Sequence, residues 1–131
     1  MPSREELKRR AFEEIDARAD EIVSLAKTIL QNPEPGFRET KTSALAANKL
    51  AELSIPFRDG LALTGIRAEL TGGSSGPTLA MLGEMDSLIV NEHPFADPAT
   101  GAAHACGHHC QLPMVFGALF GLMQPDVLAA L

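Results

Sequence analysis

The chain has 131 residues, of which 45% are hydrophobic and 21% charged, and its formal net charge is −6. This balance is typical of one globular domain with a real core. The negative charge excludes a nucleic-acid partner bound through its phosphates, because such binding depends on clustered Lys and Arg. No apolar run reaches the roughly 18 residues of a membrane helix, and the polar N-terminus lacks a signal-peptide core. We therefore expect no membrane partner and a cytoplasmic location.

Helices are predicted to open the chain. Residues 3–30 carry apolar side chains at spacings of three and four, and Ser3 and Glu6 form a capping box, so one long amphipathic helix is expected there. The segment 32–36 contains two prolines and a glycine and should end that helix. A second helix is predicted from about Glu39 to Leu53, where alanines and an apolar stripe favour it.

Strands are predicted in the middle of the chain. Residues 55–57 suit a short strand or an extended link, and residues 65–70 alternate apolar and polar side chains, as a half-exposed strand does. Residues 71–77 have the composition of a turn. The nearly all-apolar segment 78–83 is typical of an interior strand buried on both faces. The length of the turn predicts that 65–70 and 78–83 pair antiparallel.

Two acidic residues, Glu84 and Asp86, follow this predicted strand. In open α/β sheets ligands collect at the carboxyl ends of strands, so both acids are well placed for chemistry. The alternative is that they only cap the following loop. That loop, residues 87–104, is long for a compact domain, and such loops are usually functional. His93 within it is interpreted as a surface histidine.

A third helix is predicted from about His109 to Met123. Pro113 is tolerated only in the first turn of a helix, so the regular helix should start no earlier than about His109. Gly117 and Gly121 would allow close packing. The chain stops inside a new apolar stretch, 127–131, and we therefore expect the natural sequence to continue.

A ten-residue stretch concentrates the residues best suited to chemistry. It holds His104, Cys106, His108, His109 and Cys110. Histidine and cysteine suit a borderline-soft metal such as zinc. Side chains two apart on a helix point about 200° away from each other, so Cys106 and His108 can share a metal only in a turn, which Gly107 favours. Two ligands do not fill a zinc site, and Glu84 and Asp86 are the nearest further candidates. The alternative is a helix start that happens to be rich in His and Cys.

Four segments resemble the M20 metallopeptidase family, in its amidohydrolase branch of hippurate hydrolases, aminoacylases and auxin-conjugate hydrolases. Residues 104–108 resemble its H-A-C-G-H signature, and residues 83–88 resemble its A-D-M-D-A-L strand end. Residues 32–37 resemble its H-P-E-x-G-F turn, and Leu63 to Ile66 match its strand-opening T-G-V. The resemblance covers nearly all of the chain, in order and with sensible spacing.

The resemblance implies a two-metal hydrolase with an α/β, zinc-peptidase-like catalytic domain and an inserted lid domain. Two helices, an antiparallel hairpin leading into a mostly parallel central sheet, and a site helix would form its N-terminal part. Residues 1–131 would be this portion of the catalytic domain. The general-base glutamate, the remaining metal ligands and the lid would lie beyond Leu131, so the chain alone is expected to be inactive.

By the same resemblance, Cys106 would be a bridging metal ligand and His108 a terminal one, while Asp86 would be the catalytic acid that supports the site. Glu84 stands where the branch usually has Asp, and His109 and Gln111 also depart from its pattern. His109 and Cys110 lie outside the C-x-H element, and on the following helix Cys110 should face the core.

The implied cofactors are two divalent ions, with zinc, manganese and cobalt all fitting, and the implied substrate is an N-acyl amino acid or a related small amide. The resemblance leaves a homo-oligomer open. Two rival readings remain: a non-catalytic metal-binding or assembly module of the same fold, and a purely structural α/β domain without metal.

Overall fold

The structure is a computed structural model and describes residues 2–131. The chain is a mixed α/β protein, as predicted. Its elements, in chain order, are α1 Arg4–Ala17, α2 Ala19–Leu30, α3 Thr40–Glu52, β1 Phe57–Leu61, β2 Gly65–Ala68, β3 Leu88–Ile89, β4 Ala102–Ala103, α4 His108–Met123 and α5 Pro125–Ala130. None of the helices in residues 2–131 is both long enough and apolar enough to cross a bilayer.

The predicted helix 3–30 is two helices that meet at Arg18. Half of the predicted capping box is confirmed, since the Glu6 N–H donates to Ser3 Oγ at 3.2 Å. Arg18 has φ −106° and ψ 15°, which interrupts the helical backbone. Its guanidinium carbon lies 4.6 Å from the ring centroid of Phe120 on α4. The break lets α1 and α2 both pack along α4, a tertiary effect that the helical period of the sequence does not reveal.

The core lies between α2, α3, the β1–β2 hairpin and α4. Its buried members are Leu25, Ala46, Leu50, Ile55, Phe116 and Phe120. The predicted close packing at two glycines of α4 is confirmed. A Cβ at Gly117 would lie 3.2 Å from Ile22 Cδ1, and one at Gly121 would lie 3.0 Å from the Ala11 carbonyl oxygen. These glycines set how closely α1 and α2 approach α4.

The start of α4 differs slightly from its prediction. The helix begins at His108, one residue earlier than expected, so Pro113 lies in its second turn and is fully buried. Proline has no N–H, so the carbonyl of His109 loses its usual helical partner. Burial of the proline ring against the core offsets that loss.

The predicted pairing of 65–70 with 78–83 is wrong. β2 pairs antiparallel with β1, with Phe57 opposite Ala68 and Leu61 opposite Gly65. Residues 78–83 form neither strand nor helix, and Leu79 and Leu82 are 89% and 90% exposed.

The mostly parallel central sheet is also missing among residues 2–131, where both sheets are two-stranded and antiparallel. The wrong strand pairing and the missing parallel sheet have the same physical reason. An interior strand needs a neighbouring strand on each edge and cover on each face, and the described part of the chain gives residues 78–83 neither.

A buried carboxylate anchors the segment that carries the two acids. The carboxylate of Glu34 accepts hydrogen bonds from the backbone of Lys41 and Thr42, both at 2.9 Å, and from the hydroxyls of Thr40 and Thr42, both at 3.1 Å. It therefore caps α3. The carbonyl oxygen of Glu34 accepts from the N–H and the hydroxyl of Ser87, at 3.0 and 2.8 Å. One residue thus ties the end of segment 84–87 to the start of α3.

Replacing Glu34 by Ala should lower the free energy of unfolding by about 2–4 kcal/mol, because four donors, two of them buried, lose a charged acceptor. Urea unfolding at neutral pH measures the change. Glu92→Ala, at an exposed loop position, is the matched control and should stay within about 0.5 kcal/mol of the parent. Equal stabilities for the two variants would contradict the anchoring role.

The 131-residue chain should self-associate, because Leu79 and Leu82 are almost fully exposed on one apolar segment. The double variant Leu79→Lys, Leu82→Lys should shift the chain toward monomer in sedimentation velocity. Its free energy of unfolding should change by less than about 0.5 kcal/mol, since neither side chain is buried. A monodisperse monomer formed by the unaltered chain would overturn this expectation.

Candidate metal centre

The predicted turn between Cys106 and His108 is present. Gly107 has φ 89°, in the left-handed region that glycine adopts without strain, and it precedes the first residue of α4. A Cβ at Gly107 would meet no atom of the described residues within 4 Å, so the requirement for glycine comes from the backbone conformation. The chain changes direction at this turn, between the end of β4 at Ala103 and the start of α4 at His108.

His108 lies between the two acids predicted for the site. Its Nδ1 is 2.9 Å from Asp86 Oδ1 and 3.1 Å from the Asp86 carbonyl oxygen. Both of these oxygens can only accept, so Nδ1 carries the proton and donates it. A carboxylate that holds one imidazole nitrogen in this way leaves the other nitrogen, Nε2, available as a metal ligand. The Nε2 atom is 3.0 Å from Glu84 Oε2.

Cys106 also approaches Asp86. Its Sγ is 3.9 Å from the carbonyl oxygen of Asp86, and its side chain is exposed. The structure therefore brings together the three residues to which the resemblance gives roles, with Asp86 contacting both Cys106 and His108. Their chemical roles stay predictions.

Cys110 does not behave as predicted, because it is exposed and does not face the core. The buried stripe of α4 begins only at Pro113. The first turn of the helix extends beyond the core, so the helical period alone misplaced this side chain.

Gln111 is the functional neighbour that the sequence reasoning missed. Its side-chain amide donates to Glu84 Oε2, and its oxygen accepts from the Glu84 N–H, both at 3.0 Å. The segment that carries Glu84 can come this close to α4 because residue 83 is glycine. A Cβ at Gly83 would lie 3.3 Å from Val115 Cγ2 and 3.4 Å from the Gln111 carbonyl carbon. A signal did exist, since Gln111 follows His108 by three residues and so shares its helix face.

The donors present fit one part of a metal centre. An imidazole with its second nitrogen held by a carboxylate, a nearby thiol and a second carboxylate are donors that zinc and related ions accept. However, residues 2–131 contain no group of three or more His, Cys, Asp or Glu side chains arranged to hold an ion. Cys106, His108 and Glu84 would therefore supply some of the ligands but do not form a complete cage.

Two further histidines, the buried His104 and the half-buried His109, lie beside each other near the site. His104 is 2% exposed, and its ring centroid is 5.6 Å from that of His109. Within residues 2–131, neither of its ring nitrogens has a hydrogen-bond partner. Burial lowers the pKa of His104 to about 4, assisted by His109 and His108 and opposed by the charges of Asp86 and Glu34. Burial also lowers the pKa of His109. Both imidazoles are therefore neutral at physiological pH.

The metal-free protein should lose stability as the pH falls from about 6.5 toward 4, because His104 has a lower pKa folded than unfolded and the unfolded chain binds more protons there. The variant His104→Leu should show a shallower decline over this window, with part of the slope left by His109. Urea unfolding with a chelator present, repeated at several pH values, measures the slopes. Parallel slopes for parent and variant would show that His104 does not carry this dependence.

The sequence comparisons agree on one group of proteins. The chain is 33% identical to thermostable carboxypeptidase 2 of Saccharolobus solfataricus, over 80% of this chain and 28% of that protein. It is 40% identical to IAA-amino acid hydrolase ILR1-like 6 of Arabidopsis thaliana, over 70% of this chain and 20% of that protein. It is 31% identical to N-acetyl-L-cysteine deacetylase of Bacillus subtilis, over 79% of this chain and 26% of that protein.

No protein-family model matches the chain. The chain spans about a quarter of the length of the curated relatives that it matches. These relatives are amidohydrolases of one family, and their identity to this chain of 30–40% extends over most of its residues. The chain therefore belongs, over its aligned residues, to the M20 family of amidohydrolases.

Proposed function

We propose that the protein containing this chain is a metal-dependent hydrolase of N-acyl amino acids or related small amides. The observation that carries the proposal is the contact of Asp86 with both His108 and Cys106 at the start of α4. The hydrolase reading at family level is supported by relatives named as a carboxypeptidase, an amino acid hydrolase and a deacetylase. Metal dependence is a more specific proposal, and it is supported by the thiol, imidazole and carboxylate groups that lie close together at the start of α4.

Each residue has a distinct part in this proposal. Cys106 and His108 would hold divalent ions, with zinc, manganese and cobalt all suiting a thiolate and an imidazole. When bound, such ions activate a water molecule and polarise the scissile carbonyl. Asp86 holds the His108 ring through Nδ1, so that Nε2 is left as the ligand atom. Asp86 is therefore a positioning residue, and it strengthens the imidazole as a ligand.

The water-activating base is not assigned to any of the residues 2–131. Asp86 is engaged with His108 Nδ1, and Glu84 is held by Gln111. Because the chain spans about a quarter of its relatives, we propose that the base and the remaining ligands lie elsewhere in the whole protein. The 131-residue chain by itself would then not hydrolyse an amide.

A second candidate function uses the same residues without turnover. The described residues supply only part of a metal cage and no assigned base, which also suits a non-catalytic metal-binding or assembly module of the same fold. The two candidates differ in one result. The module binds metal but leaves N-acyl amino acids intact, even as the whole protein.

The whole natural protein, with metal restored, should hydrolyse N-acetyl amino acids. Cys106→Ala and His108→Ala should each lower bound metal and turnover by orders of magnitude, since each removes a ligand. Metal content by mass spectrometry and release of free amino acid are the measurements.

Cys110→Ala is the matched control, because Cys110 is a second exposed cysteine only four residues from Cys106. It should leave metal content, turnover and stability nearly unchanged. Loss of metal in Cys110→Ala with retention in Cys106→Ala would contradict the assignment. Turnover by the purified 131-residue chain would contradict the absence of a base.

A further inference from the structure

We propose that Glu84 is a metal ligand in this protein, sharing an ion with His108 and held in place by Gln111. The proposal rests on the metal dependence proposed above and names a donor outside the C-x-H motif. It begins with an unusual feature of His108, whose two ring nitrogens both face carboxylate oxygens, Asp86 Oδ1 at 2.9 Å and Glu84 Oε2 at 3.0 Å.

In the neutral form of His108, the donors and acceptors around the ring do not balance without a cation. A neutral imidazole has one N–H and one lone pair. The N–H lies on Nδ1, because both Asp86 oxygens near it can only accept. The lone pair on Nε2 then faces an oxygen of the Glu84 carboxylate, and two electron-rich atoms at 3.0 Å repel each other. A positive charge between the two atoms converts this repulsion into two favourable contacts.

The separation suits two ligands of one ion. Nitrogen and oxygen donors that are each about 2.1 Å from a metal lie roughly 3.0 to 3.5 Å apart, when the angle between them is between about 90° and tetrahedral. The observed 3.0 Å falls at the lower end of this range. A few tenths of an ångström of opening would therefore suffice to admit an ion.

Gln111 keeps Glu84 in this position. The side chain of Glu84 is 62% exposed, and a free glutamate at the surface would populate many rotamers. Gln111 binds both the backbone N–H and the carboxylate of Glu84 at 3.0 Å. Its amide donates to Oε2, the same oxygen that faces His108. Outer hydrogen bonds of this kind orient ligands and are a regular part of metal sites.

The competing explanation is a proton in place of the ion. A doubly protonated His108 would donate to both carboxylates and satisfy the same distances. Glu84 would then be a hydrogen-bond partner of His108, and its charge would not matter for metal affinity. The two explanations predict different affinities when the carboxylate is replaced by its amide.

The test is a cobalt titration of the whole natural protein after removal of its metal. Co²⁺ is the probe, because its visible absorption reports the ligand set and its thiolate band reports Cys106 separately. The variants are Glu84→Gln and Gln111→Ala. The matched controls are Glu92→Gln and Gln31→Ala, which make the same chemical changes at exposed positions away from the site.

Glu84→Gln should weaken Co²⁺ binding about 100-fold, and Gln111→Ala about ten-fold, as expected for loss of a ligand and of its supporting hydrogen bonds. The visible spectrum of Glu84→Gln should change while its thiolate band remains. Both controls should bind as the parent does. Circular dichroism melts should be alike for all variants, since Glu84 is exposed.

The failures are distinguishable. If Glu84→Gln binds Co²⁺ with the affinity and spectrum of Glu92→Gln, Glu84 is only a hydrogen-bond partner, and this inference is overturned while the proposed function stands. If the parent protein binds no Co²⁺ at all, the proposed metal dependence is overturned, and the inference with it.

Discussion

The geometry of the site depends on the burial of one carboxylate, that of Glu34. Its side chain caps α3 through four hydrogen bonds, while its carbonyl oxygen holds Ser87 through two more. A buried carboxylate is costly unless its acceptor sites are filled, so this arrangement tolerates little displacement. Asp86 precedes Ser87, and its position relative to His108 therefore follows from how α3 begins.

The other half of the site is positioned by the packing of α4. Gly117 and Gly121 let α1 and α2 approach this helix closely, which fixes its axis against the core. Gly107 then sets the direction in which the chain enters the helix. The site thus forms where two independently anchored pieces meet, segment 84–87 from the Glu34 turn and the first turn of α4 from the core.

Local patterns predicted the parts of the site that depend on local chemistry. The glycine turn between Cys106 and His108, the helix at 40–52 and the N-terminal cap at Ser3 were all readable, because each depends on residues within a few positions of one another. Proximity of Asp86 to this turn was expected from the resemblance, and the structure places the two in contact.

The predictions that failed concern residues whose placement depends on distant partners. Segment 78–83 has the composition of an interior strand, but composition does not supply neighbouring strands, and the described residues leave it exposed. Cys110 follows the helical period of the core stripe, yet the core ends at Pro113. The contact of Gln111 with Glu84 was not predicted, because the two residues are 27 positions apart in the sequence.

The absence of strand pairing at segment 78–83 also affects how the site is held together. Segment 78–83 lacks neighbouring strands, so the two acids that follow it are not aligned by a sheet. They are held by Ser87 on one side and by contacts with α4 on the other, at Gly83, Gln111 and His108. Several of these contacts are made by solvent-exposed side chains, and each such hydrogen bond contributes only about 1 kcal/mol. If the proposed ion binds between the two pieces, it would cross-link them, and its binding would then be thermodynamically coupled to order in segment 84–87.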